Sequence, residues 1–265
     1  MALRSALINV MTRAAEKAGR ALVRDFGEVE QLQVSRKGPA NFVTNADHKS
    51  EKLLVEELGR ARPEFGFLLE EGGVIGEGKS ERWIVDPLDG TLNFMHGLPF
   101  WSISIAAERE GEVIAGIVYE PVSDQMFWAE KGVGAFVNHQ RLRVSSRTDL
   151  DDAMLAFSGA PRRVAPEDRA LIDVLHQKTA GARRLGSCAL NLAFVAAGRF
   201  DGFWGKSMNP WDTAAGILMV REAGGQITAV DGAANLLLAD SLVASNYHLH
   251  KSLVNIVRDG AKSAA

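Results

Sequence analysis

Apolar residues recur along the chain with a helical period in some stretches and in short strand-like runs in others. Near the N-terminus they recur every three or four positions between basic residues, which predicts a packed amphipathic helix over residues 3–22. A second helix is predicted over residues 46–60, ended by Gly59 and Pro63. The next stretch predicts strands separated by turns, at residues 65–69, 83–85, 102–108, 113–119, 125–129 and 135–137.

The second half of the chain mixes the two patterns. Strands are predicted at residues 154–157, 226–230 and 242–244, and helices at residues 166–179, 187–197, 210–223 and 248–257. This order fits neither a regular βαβ barrel nor an all-β sandwich. It predicts an α/β fold of the α+β type, in which two sheets are interleaved with helix layers. We expect one domain over residues 1–265, with an N-terminal lobe of about 1–148 and a C-terminal lobe of about 149–265.

The composition excludes several classes of protein. The 265 residues carry 30 basic and 33 acidic side chains, so the basic excess that nucleic-acid binding requires is missing. No apolar run approaches the ~18 residues of a membrane span. The single cysteine, Cys188, excludes an internal disulfide framework and a cysteine-rich zinc site. These features predict a cytoplasmic enzyme with no membrane partner.

One glycine-rich segment imitates a nucleotide-binding loop. Residues 73–80 match the P-loop pattern of two glycines separated by four residues and followed by Lys-Ser. That pattern works only where a helix begins at the Lys-Ser pair, and here the strand-like Trp83-Ile84-Val85 and then Pro87 leave no room for one. The segment therefore predicts a glycine hairpin.

The most informative segment follows the strand at residues 83–85. The strand delivers Asp86, a proline and a glycine force a tight turn, and Asp89 lies three residues on. Two carboxylates and the Leu88 carbonyl can then face one point, which suits a hard cation. Gly90 and Thr91 can open a helical turn whose amides point at an anion. The alternative is a plain turn in which both acids cap backbone amides.

Three further acids have structural explanations of their own. Asp212 follows Asn209-Pro210 and fits a first-turn acid that complements a helix dipole. Asp47 lies three residues after Thr44 and fits a capping box. Glu70 ends a short apolar strand, where a solvated loop edge is the alternative. Only the combination of these acids distinguishes a purely structural role from a role in a metal site.

Taken together, these segments closely resemble the inositol monophosphatase family over nearly the whole chain. The resemblance rests on DPLDGT at 86–91 with Asn93-Phe94, WDTAAG at 211–216, FVTNAD at 42–47, Glu70-Glu71, RLGSCA at 184–189 and AAGRFDG at 196–202. It implies a layered αβαβα sandwich of the inositol monophosphatase/fructose bisphosphatase type. It also implies a Mg²⁺-dependent, lithium-sensitive phosphomonoesterase that binds two to three ions and is often a homodimer.

The resemblance also implies a role for each motif residue. The first metal would be held by Glu70, Asp86 and the Leu88 carbonyl, the second by Asp86, Asp89 and Asp212, and a weaker third through water by Asp47, with Lys37 nearby. Glu70 and Thr91, with Asp47, would position and deprotonate the attacking water. The substrate would contact the Gly90 and Thr91 amides on its phosphate side, and Gly186, Ser187, Cys188, Asp212 and Lys206 elsewhere.

Electrostatics supports a metal site independently of the resemblance. Two carboxylates ~4 Å apart repel by roughly 4 kcal/mol at an effective dielectric of about 20, so several converging acids require cations. Phosphate monoesters hydrolyse so slowly that enzymes accelerate the reaction by up to ~10²¹-fold. A metal pair meets that need by polarising the phosphoryl oxygens and activating water. No side-chain nucleophile is required, and Cys188 is expected to be packed.

One position departs from the family pattern and leaves the substrate open. Many family members carry a glutamate that binds inositol hydroxyls seven residues before the second-motif aspartate, where this chain has Gly205 followed by Lys206. Inositol 1-phosphate remains the expected substrate. Lys206, unless it points into solvent, would instead suit a second phosphate, as in fructose 1,6-bisphosphate, and would disfavour the cationic histidinol phosphate.

Two further readings stay open beside the sugar phosphates. A PAP-type nucleotide phosphatase is one, although the sequence contains no recognisable adenine pocket. The other belongs to a different class, a macromolecular binding role in transcription through RNA polymerase or RNA. The acids argue against a role in binding alone, because such a protein would have no need of a costly carboxylate cluster.

Overall fold

The computed structural model describes residues 4–28, 34–38, 41–159 and 166–262. Within these residues it contains seven helices, α1 (Ala6–Phe26), α2 (Asn45–Ala61), α3 (Thr91–Met95), α4 (Pro166–Gln177), α5 (Cys188–Ala196), α6 (Pro210–Glu222) and α7 (Tyr247–Lys262). None of the helices described is both long and apolar enough to cross a membrane.

The strands fall into three sheets. They are β1 (Val34–Gly38), β2 (Asn41–Thr44), β3 (Gly66–Leu69), β4 (Gly73–Ile75), β5 (Glu81–Asp89), β6 (Ser102–Arg109), β7 (Glu112–Glu120), β8 (Gln125–Glu130), β9 (Gly134–Val137), β10 (Gln140–Arg141), β11 (Met154–Gly159), β12 (Gly181–Arg183), β13 (Gly202–Lys206), β14 (Gln226–Ala229) and β15 (Ser241–Ser245). β1 and β2 form an antiparallel pair of their own.

The larger sheet has eight strands in the order β10-β9-β8-β7-β6-β5-β3-β4. All its neighbours are antiparallel except β3 and β5, which run parallel. The smaller sheet has five strands in the order β12-β11-β13-β15-β14, with β11 parallel to both of its neighbours. The predicted lobes stay a prediction, although the two sheets fall on either side of the proposed boundary near residue 148.

Three apolar clusters hold the elements in five layers. One face of β5 presents Trp83 and Val85 to α1 and α2, while Ile84 on the opposite face joins a cluster with α5 and α6. The smaller sheet covers the other side of α5 and α6, and its outer face packs against α4 and α7. The order is α1/α2, eight-stranded sheet, α5/α6, five-stranded sheet, α4/α7. The predicted αβαβα sandwich is confirmed.

Most predicted elements lie within a few residues of the observed ones, and the misses are short. β12 and β13 were not predicted. β12 has only three residues, and β13 has glycine at the first and fourth of its five positions, which weakens the strand pattern. No helix follows the glycine-rich segment, so the exclusion of a P-loop is confirmed, but the predicted hairpin over residues 73–80 is wrong: β4 pairs with β3 before it, and β3 lies between β4 and β5 in the sheet. Lys79 does not face a phosphate cradle; its Nζ donates to the Pro63 and Phe65 carbonyls at 3.0 and 2.9 Å.

Candidate active site

The centre of the site is an irregularity in β5. The pairing with β6 joins Asp86 to Ser104 and resumes at Asp89 opposite Ser102, so β5 carries one residue more than its partner. The Asp86 carboxylate closes this turn by accepting from the Leu88 amide at 2.9 Å. As predicted, the Asp-Pro-Leu-Asp segment is a strand-to-turn transition, and it sets two buried carboxylates close together.

The N-terminus of α5 binds one of these carboxylates. Asp89 accepts hydrogen bonds from the Ser187 hydroxyl, from the Ala189 amide at 2.8 Å and from the Cys188 amide at 3.2 Å. Free amides at the start of a helix favour an anion at this place. Asp89 is therefore oriented from the C-terminal half of the chain, although β5 belongs to the N-terminal half.

The third acid comes from α6, the other helix of the central layer. Asn209 caps α6 and Pro210 begins it, and Asp212 completes the capping box by accepting from the Asn209 amide at 2.7 Å. Carboxylate oxygens of Asp86, Asp89 and Asp212 lie within 4.8 Å of one another. Among the described residues, this is the one such group of three metal-ligating side chains.

The cluster is electrostatically strained. Burial raises the pKa of Asp86 well above its ordinary value, and the charges of Glu70 and of the other two aspartates raise it further. Burial also raises the pKa of Asp89, against the lowering effect of its hydrogen bonds to α5. Burial and then the charge of Asp89 raise the pKa of Asp212 to about 7. Buried carboxylates at this spacing require compensating charge, and three hard oxygen donors fit a hard divalent cation.

Glu70 joins the cluster from the adjacent parallel strand. It follows β3, its amide donates to the Val85 carbonyl at 3.2 Å, and its side chain shares a hydrogen bond with Asp86. Its loop is tied to α2, because the buried Glu51 carboxylate accepts from the Glu71 amide at 2.9 Å and from the next amide along the chain. The structure thus brings Glu70 to the place that the sequence indicated.

Asp47 and Thr91 form a hydrogen-bonded pair beside the turn. One carboxylate oxygen of Asp47 accepts from the amide and hydroxyl of Thr44 at 2.8 and 2.6 Å, which completes the predicted capping box. The other lies 3.0 Å from Thr91 Oγ1, which is also 3.1 Å from the Leu88 carbonyl oxygen. Burial raises the pKa of Asp47, against these hydrogen bonds. The structural explanation of Asp47 is therefore confirmed, and its chemical role stays a prediction.

α3 begins directly after the turn, where the sequence predicts the phosphate side of the site. Gly90 precedes this helix with φ of 98°, and a Cβ there would lie 2.8 Å from the Phe100 carbonyl oxygen, so the position requires glycine. The first amides of a helix have no intrahelical acceptor, which leaves the Thr91 amide available to an anion.

Asn93 connects α3 to the opposite wall of the site. Its side-chain amide donates to the Phe100 and Leu185 carbonyls, each at 2.6 Å. Gly186 passes so close that a Cβ there would lie 2.7 Å from the same nitrogen. The sequence contained Asn93 within a motif but gave no sign of this connection, because its partner lies 92 residues away.

The predicted substrate side differs in detail from the expectation. Gly186 is exposed, but Ser187 is buried with its hydroxyl on Asp89, and the Cys188 thiol contacts the Met208 sulfur at 3.3 Å. Lys206 Nζ lies 2.8 Å from the Asp168 carboxylate on α4. The predicted packing of Cys188 agrees with its burial. The side chain of Lys37 lies outside the described residues.

Sequence reasoning also missed two supports on α2. The Ser50 hydroxyl donates to the Pro87 carbonyl at 2.9 Å, and Glu51 holds the loop after Glu70. Ser50 lies three residues after Asp47 and Glu51 lies four residues after it, so all three are on the same face of the helix. That spacing was the available signal. α2 thus contacts both the turn after Asp86 and the loop after Glu70.

Comparisons with known proteins agree with this geometry. The family model described as "Inositol monophosphatase family" matches residues 3–261. The chain is 49% identical over 258 residues to an inositol-1-monophosphatase of Rhizobium meliloti, covering 96% of this chain and 97% of that protein. A crystal structure titled extragenic suppressor protein suhB, from Bartonella henselae, matches with a TM-score of 0.93 and 49% identity, over 97% of this chain and 100% of that one.

A more distant relative carries a different kind of name. The chain is 37% identical over 261 residues to the Nus factor SuhB of Escherichia coli, covering 97% of this chain and 98% of that protein. The same fold and length thus occur under an enzyme name and under the name of a Nus factor.

Proposed function

The chain belongs to the inositol monophosphatase family and is a phosphoric monoester hydrolase, and from that premise we propose that it hydrolyses myo-inositol 1-phosphate to inositol and phosphate. The observation that carries the proposal is the cluster of Asp86, Asp89 and Asp212, whose carboxylate oxygens lie within 4.8 Å of one another. The name of the 49% identical Rhizobium meliloti relative supports the substrate.

We propose two to three Mg²⁺ ions as the cofactor. Glu70, Asp86 and the Leu88 carbonyl would hold one ion, and Asp86, Asp89 and Asp212 a second. Asp47 would serve a third through water, with Lys37 nearby. The donors are all hard oxygens, as Mg²⁺ prefers, and bound cations would offset the burial and carboxylate repulsion that raise the pKa of Asp86 and Asp212.

Each residue around the cluster has a chemical task in this proposal. Bound divalent cations neutralise the carboxylates and withdraw charge from the phosphoryl oxygens. The Thr91 hydroxyl, 3.0 Å from Asp47 Oδ1, donates to that carboxylate and keeps an oxygen lone pair for an attacking water. Glu70, hydrogen-bonded to Asp86, would take a proton from that water.

The substrate would be held from two sides. The Gly90 and Thr91 amides would bind phosphate oxygens at the start of α3. Gly186, Ser187, Cys188, Asp212 and Lys206 would border the alcohol, with Gly186 as the exposed member of the loop before α5. The ion pair between Lys206 and Asp168 favours a monophosphate over fructose 1,6-bisphosphate, because a second phosphate would have to compete with an existing carboxylate partner.

Further properties implied by the family are part of the proposal. We expect lithium to inhibit the enzyme, and we expect a cytoplasmic homodimer. A second role as a partner in transcription is favoured by one observation, the 37% identity to a protein named Nus factor SuhB. Sedimentation tests the dimer, and co-purification with RNA polymerase tests the second role.

The deciding experiment measures phosphate release with Mg²⁺, with and without lithium, from four substrates. These are inositol 1-phosphate, fructose 1,6-bisphosphate, histidinol phosphate and PAP. We expect the highest kcat/KM for inositol 1-phosphate, and loss of its hydrolysis with lithium or without Mg²⁺. A higher kcat/KM for the bisphosphate would mean that Lys206 leaves Asp168 to bind substrate. Hydrolysis of none of the four would contradict the proposal and favour the binding role.

A further inference from the structure

Two sulfur atoms lie together at the edge of the carboxylate cluster. Cys188 Sγ is 3.3 Å from Met208 Sδ. The Cys188 amide donates to Asp89 at 3.2 Å, and the residue after Met208 is Asn209, whose amide donates to Asp212 at 2.7 Å. The sulfur pair therefore connects the two backbone segments that hold these two acids.

Met208 occupies the space that a side chain at position 205 would need. A Cβ on Gly205 would lie 2.3 Å from Met208 Sδ and 2.6 Å from its methyl carbon, closer than atoms approach without displacement. Gly205 has an ordinary strand conformation within β13, so the absence of a side chain there is explained by this neighbour and not by a positive φ. The two positions form one packing unit.

The backbone that carries Met208 is fixed on both sides. Ser207 has φ of 55°, and its amide donates to the Asp240 carbonyl at 2.6 Å. Lys206 before it is paired with Asp168, and Asn209 after it caps α6. Met208 is partly buried against the central apolar cluster. Its thioether is thus held at a defined place on the rim of the site.

From this arrangement we infer that Met208 is a specificity-determining residue that packs against the alcohol part of the substrate. The inference rests on the proposed function. The phosphate would lie at the acids and α3, so the alcohol extends toward the opposite wall, where Gly186 is exposed and the sulfur pair begins. A thioether offers dispersion contact and only a weak acceptor. This wall therefore accepts the C–H face of an alcohol and requires no hydroxyl group there.

The predicted substrate class is accordingly wider than inositol phosphate. It includes phosphate monoesters whose alcohol presents an apolar face, such as cyclohexyl phosphate, which lacks every ring hydroxyl. A site that hydrogen-bonds a hydroxyl rejects the analogue without it by large factors, whereas an apolar wall does not. The decisive quantity is the ratio of kcat/KM for cyclohexyl phosphate to kcat/KM for inositol 1-phosphate.

The test compares the wild-type enzyme with Met208→Gln and Met208→Leu. Glutamine keeps the unbranched shape but places an amide against the alcohol, so we expect the ratio to fall about tenfold. Leucine keeps an apolar wall, and we expect a ratio within about twofold of wild type. An unchanged ratio in Met208→Gln would overturn the inference, as would an equal loss for both substrates together with weaker Mg²⁺ binding.

The single cysteine provides a readout that does not depend on activity. If Met208 covers the sulfur, Met208→Ala should raise the rate at which a thiol reagent modifies Cys188 by about tenfold, because exposure controls reactivity here. Gly205→Ala should also raise the rate of Cys188 modification, because the added Cβ displaces Met208. Rates unchanged in both variants would overturn the packing on which the inference depends.

Failure of the proposed substrate is distinguishable from failure of this inference. A wild-type enzyme that hydrolyses cyclohexyl phosphate but not inositol 1-phosphate contradicts the proposed substrate. Glycerol 1-phosphate then serves as the hydroxyl-bearing substrate, and the ratio still tests Met208. A wild-type enzyme that hydrolyses none of these esters overturns both.

Discussion

The two walls of the site are built in opposite ways. The proposed metal side, here called the metal wall, consists of Asp86, Asp89 and Asp212, whose positions are set by specific hydrogen bonds from turns and helix starts. The proposed alcohol side, here called the alcohol wall, consists of Met208 and Cys188, which are held by packing against each other and, for Met208, against Gly205. The first wall requires particular residue types, and the second requires only that volumes fit. We therefore expect mutations on the first to remove chemistry and mutations on the second to change substrate choice.

The largest expected effect comes from removing one charge on the metal wall. Asp89→Asn should lower kcat/KM by about a thousandfold or more, since metal-assisted stabilisation is worth several kcal/mol. In EDTA the same variant should differ little from wild type in stability, because it relieves repulsion among buried carboxylates but also removes one acceptor for the donors of α5. Activity assays and thermal unfolding with and without Mg²⁺ measure both effects.

Asp231→Asn is the matched control, because this acid is exposed in a distant turn and its acceptor oxygen is kept. We expect wild-type activity from it. Wild-type turnover by Asp89→Asn itself would contradict the metal assignment.

The second effect is a pH dependence confined to the metal wall. The pKa of Asp212 is about 7 in the folded protein, above its ordinary 3.8, so the folded state binds more protons than the unfolded state between these values. In EDTA, the contribution of Asp212 to the free energy of unfolding should therefore be greatest below pH 4. It should decrease as the pH rises from 4 and be lost once the pH has passed 7. The loss should amount to a few kcal/mol.

Thermal or urea unfolding across pH 4–8 measures this effect, and saturating Mg²⁺ should abolish it by supplying the missing charge. Asp212→Asn should flatten the EDTA profile. A profile that is as steep in the variant as in wild type would show that other groups titrate.

The third effect concerns the connection between the walls. Asn93→Asp replaces the donors to Phe100 and Leu185 with acceptors, so the loop carrying Gly186 should move away from α3. We expect KM to rise about tenfold with a smaller change in kcat, because the alcohol wall moves and the acids remain in place. Asn9→Asp, on the exposed side of α1, is the control of equal chemistry. A fall in kcat with unchanged KM would place the effect on the metal wall instead.

The smallest effect is expected from the support on α2. Glu51→Gln keeps one acceptor oxygen but weakens the bonds to the Glu71 and Gly72 amides. We expect the Mg²⁺ concentration for half-maximal activity to rise two- to fivefold, in line with a loss of about 0.5–1 kcal/mol. Glu57→Gln on the same helix changes only exposed pairs with Lys17 and Arg60 and should have no effect. Equal Mg²⁺ dependence of the two variants would remove Glu51 from this role.

The sequence predicted the convergence of the three aspartates far better than the packing of Met208 and Cys188. Asp86, Asp89 and Asp212 sit in short motifs where strand ends, turns and helix caps are local features that a sequence displays. Both helices of the central layer were likewise predicted from their apolar runs. In these segments the local turn and capping preferences agree with the overall fold, and such agreement allows a structure to be predicted from its sequence.

The alcohol wall depends on contacts that no local pattern encodes. The space above Gly205 is filled by Met208 only because β13 and the loop after it fold back on themselves. Lys206 was expected near the substrate, and its ion pair with Asp168 depends on where α4 lies. The short strand β13 was missed for the same reason, since its pairing with β11 and β15 is set by tertiary structure.

The position of α6 between the two sheets has a consequence for how the chain is made. The ribosome releases all eight strands of the larger sheet, with Asp86 and Asp89, before any residue of α6 has been synthesised. Until α6 arrives, α5 is the one helix of the central layer that can cover the sheet face with Ile84 and Val118, and Asp86 and Asp89 lack the third acid of the cluster. The step that finally buries that face also delivers Asp212. A nascent chain that ends before α6 thus lacks one member of the three-carboxylate cluster, and the second of the proposed ions would be bound only after α6 has packed between the sheets.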